Sequence, residues 1–143
     1  MAVAVDSTVR AVFAVADAVR PESRGVVAAM EAMGIEVWMV TGDAQGVADA
    51  VAEEVGVQHV VAEVLPAGKT RQVEALQARG HVVAMVGDGI NDAAALAQAD
   101  VGVAMAGGVG AASEVASIVL LGDSPSQVVD SIELSKATFA KFK

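Results

Sequence analysis

The sequence predicts an α/β fold, a doubly wound Rossmann-like parallel sheet preceded by a β-hairpin. Short apolar runs rich in Val, Ile and Met alternate along the chain with longer stretches of helical periodicity. The apolar runs are continuous and do not alternate with polar residues, which is typical of strands covered on both faces. Strands that alternate with helices in this way form parallel sheets with helices on both sides.

The strand predictions begin with a hairpin, in which the polar turn Asp6-Ser7-Thr8 joins two apolar runs, 3–5 and 9–16. Five further apolar runs are short enough for strands and end at Gly, Pro or polar residues. These predicted strands are 35–40, 59–62, 82–86, 101–105 and 118–121.

The helix predictions rest on start and stop signals. Pro21, Pro66 and Pro125 each stand near the first turn of a helix, where the fixed φ of proline fits and its missing N–H costs nothing. Glycine follows three of the periodic stretches, as expected of a helix end. The predicted helices are 21–33, 45–55, 66–79, 93–98, 111–116 and 125–143. We expect one domain, with the hairpin in 1–17, an α/β core in 18–124 and a C-terminal helix in 125–143.

The composition excludes several classes of function. The 143 residues include 18 acidic and 9 basic side chains, and this formal net charge of -9 argues against a nucleic-acid partner and repels anionic membranes. The absence of cysteine excludes disulfides and a thiol nucleophile. The mean hydropathy of +0.56 is high, but no apolar run approaches the roughly 18 residues of a spanning helix. We therefore expect no direct membrane insertion by this segment.

The hexapeptide Gly87-Asp88-Gly89-Ile90-Asn91-Asp92 follows a predicted buried strand, where open α/β sheets bind their ligands. Its glycines allow a sharp turn and a close approach to a ligand. Asp88 and Asp92 lie one helical turn apart and offer oxygen ligands for a hard cation such as Mg²⁺. The amide of Asn91 can donate to a phosphoryl oxygen. The alternative is an ordinary turn with Asn91 or Asp92 as a helix N-cap, but the complete hexapeptide favours a metal and phosphate site.

Two further motifs can contribute to a phosphate site. Thr41-Gly42-Asp43 also lies between a strand and a helix, so its hydroxyl and backbone N–H groups can hold a phosphate. A simple capped helix start explains this tripeptide equally well. Lys69 lies early in a predicted helix, where a cation opposes the helix dipole, and an active-site phosphate is one reason for it to be there. The alternative for Lys69 is a solvated surface lysine.

Together, Thr41, Lys69 and the hexapeptide resemble three of the four motifs of the haloacid dehalogenase superfamily. Within it the chain resembles the phosphorylation domain of P-type ATPases, which carries T-G-D, Pro-x-x-Lys and G-D-G-x-N-D in this order and similar spacing. The resemblance covers almost the whole chain. Segments 15–22, 62–66 and 83–92 resemble the heavy-metal branch, especially its Cu(I) pumps. Segment 102–115 resembles plastid and cyanobacterial-like members.

The resemblance implies catalytic roles for Thr41, Lys69 and Asn91: Thr41 contacts the phosphoryl group, Lys69 neutralises it and Asn91 steadies it. It also implies that Asp88 ligates Mg²⁺ and that Asp92 supports the site, as a second candidate metal ligand.

The resemblance further places Thr41-Gly42-Asp43 near the nucleotide, with Asp43 adjacent to it. The cofactors implied are Mg²⁺ and ATP, the latter bound through a nucleotide-binding domain outside this chain.

The fourth motif, the nucleophilic Asp of a D-K-T-G-T segment, does not occur in the sequence. The resemblance therefore implies a fragment that begins after the nucleotide-binding domain and ends near a membrane span at Lys143. The central strand that bears the nucleophile should be missing, which leaves a gap or unpaired edges between the strands ending at Thr41 and Val86. The chain also has Gly110 where many copper pumps have an Asp, and it lacks the intramembrane cysteines that bind copper.

Two alternative functions follow from the missing nucleophile. Asp6 lies in a D-x-T pattern, so the chain could be a small stand-alone phosphatase that uses Asp6, although Val9-Arg10 replaces the usual Gly-Thr. The chain could also be a regulatory or metal-binding module without turnover.

For the pump itself, the resemblance implies transport of a heavy-metal cation, most of all Cu(I), driven by ATP through an aspartyl phosphate. The implied partners are the nucleotide-binding domain, the actuator domain and the membrane helices. The implied location is the cytosolic or stromal side of a plastid, thylakoid or bacterial plasma membrane.

Overall fold

The structure is a computed structural model that describes residues 2–5, 8–12, 18–87, 90–105 and 111–142. The strands are β1 (Ala2–Val5), β2 (Thr8–Val12), β3 (Trp38–Val40), β4 (His59–Val61), β5 (Ala84–Gly87), β6 (Val101–Ala104) and β7 (Ile118–Val119). The helices are α1 (Ser23–Ala32), α2 (Gln45–Val55), α3 (Pro66–Ala78), α4 (Ala93–Gln98), α5 (Ala111–Val115) and α6 (Ser126–Ala140), and a 3-10 turn (Ile90–Asp92) precedes α4.

The predicted hairpin is confirmed. Strands β1 and β2 pair antiparallel, with Ala2 opposite Val12 and Val5 opposite Thr8. The strand predicted over 9–16 is described as far as Val12, and residues 13–17 lie outside the described part of the chain.

The predicted parallel sheet is also confirmed, but it occurs in two pieces. Strands β3 and β4 pair parallel, and β5, β6 and β7 form a second parallel sheet in that order. Within the described ranges, no pairing joins β3 to β5. The edges expected to be unpaired are thus unpaired, while the strand expected to be missing between them stays a prediction.

Helix positions agree well with the sequence, and strand ends agree less well. Helices α2 and α4 have the predicted bounds. The prediction of a strand over 35–40 was too long, because β3 is regular only where Trp38 to Val40 pair with β4. Helix α1 starts two residues after Pro21, and Gly56 ends α2 in the left-handed conformation that glycine tolerates best.

One part of the core lies between α4 and the sheet that contains β6. Ala95 and Leu96 of α4 are 1% exposed, and Val103 and Ala104 of β6 are 4% and 0% exposed. Gly102 lets α4 approach this strand, since a Cβ at Gly102 would stand 2.5 Å from the carbonyl oxygen of Leu96. The other buried apolar residues come from four helices: Val26, Val27, Ala48, Ala52, Val55, Val73, Leu76 and Val128.

A cleft of about 580 Å³ separates β3 from β5. Helix α3 lines one wall with Val73 and Leu76, while Met30 of α1 and Val128 of α6 also contribute apolar side chains. The prediction that the strand over 82–86 is buried on both faces is wrong for this chain. Val86 is 40% exposed at the cleft, and β5 pairs only with β6 among the described strands.

Helix α6 packs on the domain only through its first half. Val128 is buried, but every residue from 133 to 142 is exposed. Across the described ranges, no helix is both long and apolar enough to cross a bilayer.

Candidate functional site

Lys69 and Asp92 form an ion pair beside the cleft. The Lys69 Nζ donates to Asp92 Oδ1 over 2.7 Å, and the two side chains are 21% and 8% exposed. Lys69 lies in the first turn of α3, where its charge opposes the helix dipole, so the Asp92 carboxylate is the compensating group. The alternative of a solvated surface lysine is therefore wrong.

Asp92 is brought to this position by a close approach to the end of β5. A Cβ at Gly87 would lie 2.8 Å from both the Cβ and Oδ2 of Asp92. Any larger residue at position 87 would therefore displace the carboxylate that holds Lys69. The alternative expectation that Asp92 is a helix N-cap is right about its position, because Asp92 is the N-cap residue of α4, but its side chain makes no capping hydrogen bond.

Thr41 and Asp43 form a second pair at the end of β3. The Thr41 hydroxyl donates to Asp43 Oδ2 over 2.7 Å, and the Asp43 N–H donates to Thr41 Oγ1 over 3.2 Å. The N-cap of α2 is Ala44, with no capping side chain. The alternative in which Thr41 or Asp43 caps this helix is therefore wrong. The two residues instead hydrogen-bond to each other in a closed ring, called the Thr41–Asp43 loop below.

The segment between β4 and α3 holds this loop in place. The Thr41 carbonyl accepts from the Val64 N–H over 3.0 Å, and the Asp43 carbonyl accepts from the Glu63 N–H over 2.9 Å. Glu63 has a φ of +57°, a left-handed conformation that is uncommon for a residue with a side chain. Three residues later Pro66 starts α3, the helix that carries Lys69. One short segment thus connects the two pairs through the backbone.

The structure places the two pairs at the carboxyl ends of β3 and β5. Within the described residues, no hydrogen bond joins Thr41 or Asp43 to Lys69 or Asp92. The sequence predicted one combined phosphate site. The structure has two separate polar pairs instead, one at the end of β3 and one at the end of β5.

Two other predicted site residues, Gly42 and Asn91, take part in neither pair. Gly42 is exposed beside the Thr41–Asp43 loop, and Asn91 is exposed in the 3-10 turn. Asp88, the principal predicted Mg²⁺ ligand, lies outside the described residues, as does Asp6. Their assigned roles stay predictions.

The residue types at positions 91 and 92 are ones that a hard cation accepts. Mg²⁺ binds carboxylate and amide oxygens, and Asp92 follows Asn91 in the sequence, while Asp92 Oδ1 accepts from Lys69. Gly87 leaves space for Asp92 to sit close to the backbone. No group of three or more His, Cys, Asp or Glu that could hold a metal occurs among the residues the structure describes.

Sequence reasoning missed a polar and aromatic cluster at the opposite end of β3 and β4. The Trp38 and His59 rings stack at 4.5 Å between centroids with 12° between planes. Glu36 Oε1 lies 2.8 Å from Trp38 Nε1 and 3.1 Å from His59 Nε2. The parallel register, which pairs Trp38 with His59, brings these rings together. The sequence alone does not join these residues, because the contact depends on the register between β3 and β4.

Sequence reasoning also missed Asp100, which holds the start of β5 in place. The Asp100 carboxylate accepts from the Val83 N–H over 2.8 Å and from the Gln77 side-chain amide over 3.1 Å. The Val83 N–H, followed by the Gln77 amide, lowers the pKa of Asp100 below its usual value. This contact ties the start of β5 to α3.

Comparisons with known proteins agree with this geometry. The family model of haloacid dehalogenase-like hydrolases matches residues 1–100. A probable copper-transporting ATPase, PacS, of Synechocystis sp. is 48% identical over 98% of this chain and 19% of its own length. The chloroplastic copper-transporting ATPase PAA1 of Arabidopsis thaliana is 48% identical over 99% of this chain and 15% of its own length.

A solved structure gives the same result in three dimensions. The chain superposes on a zinc-transporting PIB-type ATPase in its E2.Pi state with a TM-score of 0.80 and 36% identity. The superposition covers 87% of this chain and 20% of that one. The chain thus corresponds to less than a fifth of the length of the two copper-transporting relatives. By sequence and by fold, it belongs to the haloacid dehalogenase-like hydrolase family and is homologous to the catalytic region of heavy-metal P-type ATPases.

Proposed function

We propose that this chain is part of the phosphorylation domain of a copper-transporting P-type ATPase, and that its site works on an aspartate supplied by a separate D-K-T-G-T segment. The observation that supports this most is the Lys69–Asp92 ion pair beside a cleft between β3 and β5, whose facing edges are unpaired among the described strands. Copper as the cargo rests on the names of the relatives.

The cleft has the features needed to receive one strand. Its sides are the edges of β3 and β5, which are parallel strands within their own sheets. Apolar side chains from α3, α1 and α6 cover it, including Val73, Met30 and Val128. A parallel sheet strand buried on both faces is itself apolar. An apolar strand in the cleft would therefore pair with both edges and place the residue after it near Lys69.

In this proposal Lys69 stabilises negative charge on the phosphoryl group, and Asp92 positions Lys69. Phosphoryl transfer to a carboxylate requires positioning and charge neutralisation more than acid or base catalysis. Asp92 holds the ammonium through a hydrogen bond of 2.7 Å in a largely buried place, so Lys69 is pre-oriented. Removing Asp92 would release the lysine to solvent.

Thr41 would contribute its hydroxyl and its backbone position at the end of β3. The hydroxyl now donates to Asp43, so it must leave Asp43 in order to donate to a phosphoryl oxygen. Asp43 and Gly42 are exposed and lie where a nucleotide could reach them.

Asp88, Asp92 and Asn91 would hold Mg²⁺ and the phosphate. When bound, Mg²⁺ supplies further charge neutralisation at the phosphoryl oxygens.

In the reaction proposed, the aspartate of D-K-T-G-T attacks the γ-phosphorus of ATP. A carboxylate oxygen–phosphorus bond forms, the bond to the bridging oxygen breaks and ADP leaves. Water then hydrolyses the acyl phosphate to the free aspartate and phosphate. The nucleotide-binding domain, the actuator domain and the membrane helices would be partners of this chain, which would lie on the cytosolic or stromal side of the membrane.

The test is to mix the chain with a separately expressed piece that carries D-K-T-G-T and the nucleotide-binding domain. With Mg²⁺ and γ-labelled ATP, we expect a hydroxylamine-sensitive acyl phosphate on that piece that requires this chain. Lys69→Met should reduce its formation at least a hundredfold, by analogy with the loss of one charge-stabilising donor. Lys136→Met, which removes an exposed lysine of α6, is the matched control and should leave it unchanged.

If the mixing experiment gives no acyl phosphate, the fluorescence of Trp38 can show whether the cleft is occupied. Trp38 is the single tryptophan of the chain and lines the cleft, so its fluorescence reports occupation by a tryptophan-free peptide that carries D-K-T-G-T. Binding of the peptide without acyl phosphate in the mixing experiment would favour a regulatory module and contradict catalysis.

The stand-alone phosphatase that uses Asp6 has less support. The residues that flank positions 6 and 7, Val5 and Thr8, pair in an antiparallel hairpin, whereas ligands of open α/β sheets bind at the carboxyl ends of the parallel strands. Mg²⁺-dependent labelling of Asp6 by acetyl phosphate in the chain alone would overturn the proposed function.

A further inference from the structure

The turn between β4 and α3 contains a residue in a strained backbone conformation. Among the described residues, Glu63 is the only one other than glycine that has a positive φ, +57°. For a residue with a side chain, this left-handed conformation weakens the folded state by roughly five- to thirtyfold in the folding equilibrium. Strained residues of this kind cluster at functional sites, so Glu63 calls for a functional explanation.

The conformation of Glu63 directs two successive N–H groups towards the Thr41–Asp43 loop. The Glu63 N–H donates to the Asp43 carbonyl over 2.9 Å. The Val64 N–H, next along the chain, donates to the Thr41 carbonyl over 3.0 Å. Successive N–H groups of an extended strand point to opposite sides, whereas helical dihedral angles of either hand bring them to the same side. The left-handed turn at Glu63 thus lets one segment hold both ends of the loop.

The side chain of Glu63 does not explain its conformation. Glu63 is exposed, and within the described ranges its carboxylate makes no hydrogen bond or ion pair. The two hydrogen bonds to the Thr41–Asp43 loop come from the backbone. What this residue contributes to the loop is therefore the direction of the chain.

The same segment is fixed at its other end against the first turn of α3. The Val64 side chain lies against Gly68, where a Cβ would stand 2.5 Å from Val64 Cγ1. The N–H groups of Gly68 and Lys69 both donate to the Leu65 carbonyl, over 2.7 and 3.3 Å. The backbone is thus held at several points between Glu63 and Lys69.

We infer that Glu63 is a positioning residue, whose left-handed backbone fixes the Thr41 hydroxyl relative to Lys69. The inference rests on the proposed function, in which both groups contact one phosphoryl group. Thr41 follows β3 and Lys69 belongs to α3, so the segment that begins at Glu63 links the two directly. A misplacement of about 1 Å can slow a reaction about a hundredfold. Precise placement of Thr41 therefore offsets the strain at Glu63.

The first test measures amide hydrogen exchange in the chain alone. Glu63→Gly suits the left-handed conformation, whereas the β-branched side chain of Glu63→Val opposes it. Protection of amides 63 and 64 should fall roughly tenfold in Glu63→Val and stay at least at the wild-type level in Glu63→Gly. The Thr41 amide, which donates to the Val61 carbonyl, is the internal control and should keep its protection.

The second test measures acyl phosphate formation in the mixing experiment, at saturating ATP and saturating D-K-T-G-T piece. Glu63→Val should slow transfer by about tenfold or more, with unchanged binding of the D-K-T-G-T peptide by Trp38 fluorescence. Glu63→Gly should transfer at the wild-type rate. Val27→Ala removes buried apolar surface in α1 and controls for lost stability, so it should leave the rate unchanged at a temperature where every variant is folded.

Wild-type protection in Glu63→Val would overturn the inference, as would lost protection with an unchanged rate of transfer. Slow transfer in both Glu63→Val and Glu63→Gly would assign the effect to the carboxylate and also overturn it. If the wild-type mixture forms no acyl phosphate, the proposed function fails. Amide protection in the chain alone then still decides whether the backbone of Glu63 holds the loop.

Discussion

Strands β5 and β6 are neighbours of equal length in the same parallel sheet, yet their environments differ sharply. β6 has a partner on each side, and Val103 and Ala104 are almost completely buried. Within the described part of the chain β5 has a partner only on the β6 side, and Val86 remains 40% exposed at the cleft. Both strands are apolar in sequence, so their difference in burial comes from their neighbours, which are a strand on each side and α4 in the case of β6.

This difference shows that the chain alone does not bury all the apolar side chains of β5. The cleft opposite is lined by apolar residues of three helices and by the edge of β3. Exposed strand edges invite pairing with another segment. A further strand between β3 and β5 would make β5 resemble β6, and the predictions that follow test this comparison.

The largest expected effect concerns the packed side of the sheet. Leu96 is 1% exposed beneath β6, so Leu96→Ala should lower the free energy of unfolding by about 3 kcal/mol through lost burial and a cavity. Val86→Ala on the cleft side should cost less than about 1 kcal/mol because the side chain is partly in water. Urea denaturation of both variants measures this, and equal losses would remove the contrast between the two strands.

A smaller difference in stability is expected between alanine substitutions at two glycines. Gly102→Ala should cost about 2 kcal/mol because the new methyl group would collide with the Leu96 carbonyl oxygen. Gly25→Ala, within α1 and with nothing within 4 Å of the new Cβ, should stabilise the chain by about 0.5–1 kcal/mol. Thermal unfolding distinguishes the two. A neutral Gly102→Ala would mean that α4 does not press against β6 as closely as described.

A gain in stability of similar size is expected from a substitution in helix α3, which lines the cleft. The Thr70 hydroxyl oxygen is buried and has no hydrogen-bond partner among the described residues. Thr70→Val should therefore stabilise the chain by about 1 kcal/mol, since an unsatisfied buried polar group costs about that much or more. Urea midpoints of the wild type and the variant check this, with Thr138→Val as the control because the Thr138 hydroxyl donates to the Leu134 carbonyl. A loss of stability in Thr70→Val would show that the hydroxyl has a partner.

The smallest effect is a pH dependence at the start of β5. The Val83 N–H and the Gln77 amide lower the pKa of Asp100 in the folded chain. A lowered folded pKa gives stability above the unfolded value of about 3.9, and that stability is lost as pH falls through the folded pKa. Asp100→Asn should therefore be less stable than wild type at pH 7 and nearly equal to it at the lowest pH where both fold. Urea titrations across this range measure the difference, and a pH-independent difference would contradict the assignment.

Much of the fold could be predicted because its signals are local. Helix α2 is bounded by Gly56, and the apolar runs before Thr41 and Gly87 marked β3 and β5. The motif pattern also identified Lys69 and Asp92 separately as site residues, although it could not show that they bind each other. That contact depends on α3 crossing close to the end of β5. Lys69 and Asp92 are 23 positions apart in the sequence, so local patterns do not show it.

Other features could not be predicted because they depend on neighbours. Apolar composition suggested that the strand over 82–86 is buried, but composition cannot reveal that its edge at the cleft is unpaired among the described strands. The stacking of Trp38 on His59 required the exact register between β3 and β4. Likewise, Thr41 and Asp43 satisfy each other where capping of α2 was an equally good expectation, because Ala44 starts the helix by backbone geometry alone.

The central claim is that the cleft between β3 and β5 receives the strand that carries D-K-T-G-T. The most direct measurement is amide hydrogen exchange of this chain with and without a peptide that contains D-K-T-G-T after an apolar run. The account predicts new protection in Trp38–Val40 and Ala84–Gly87, with the already paired Val101–Ala104 little changed. Binding that leaves the amides of β3 and β5 exchanging at their original rates would contradict it.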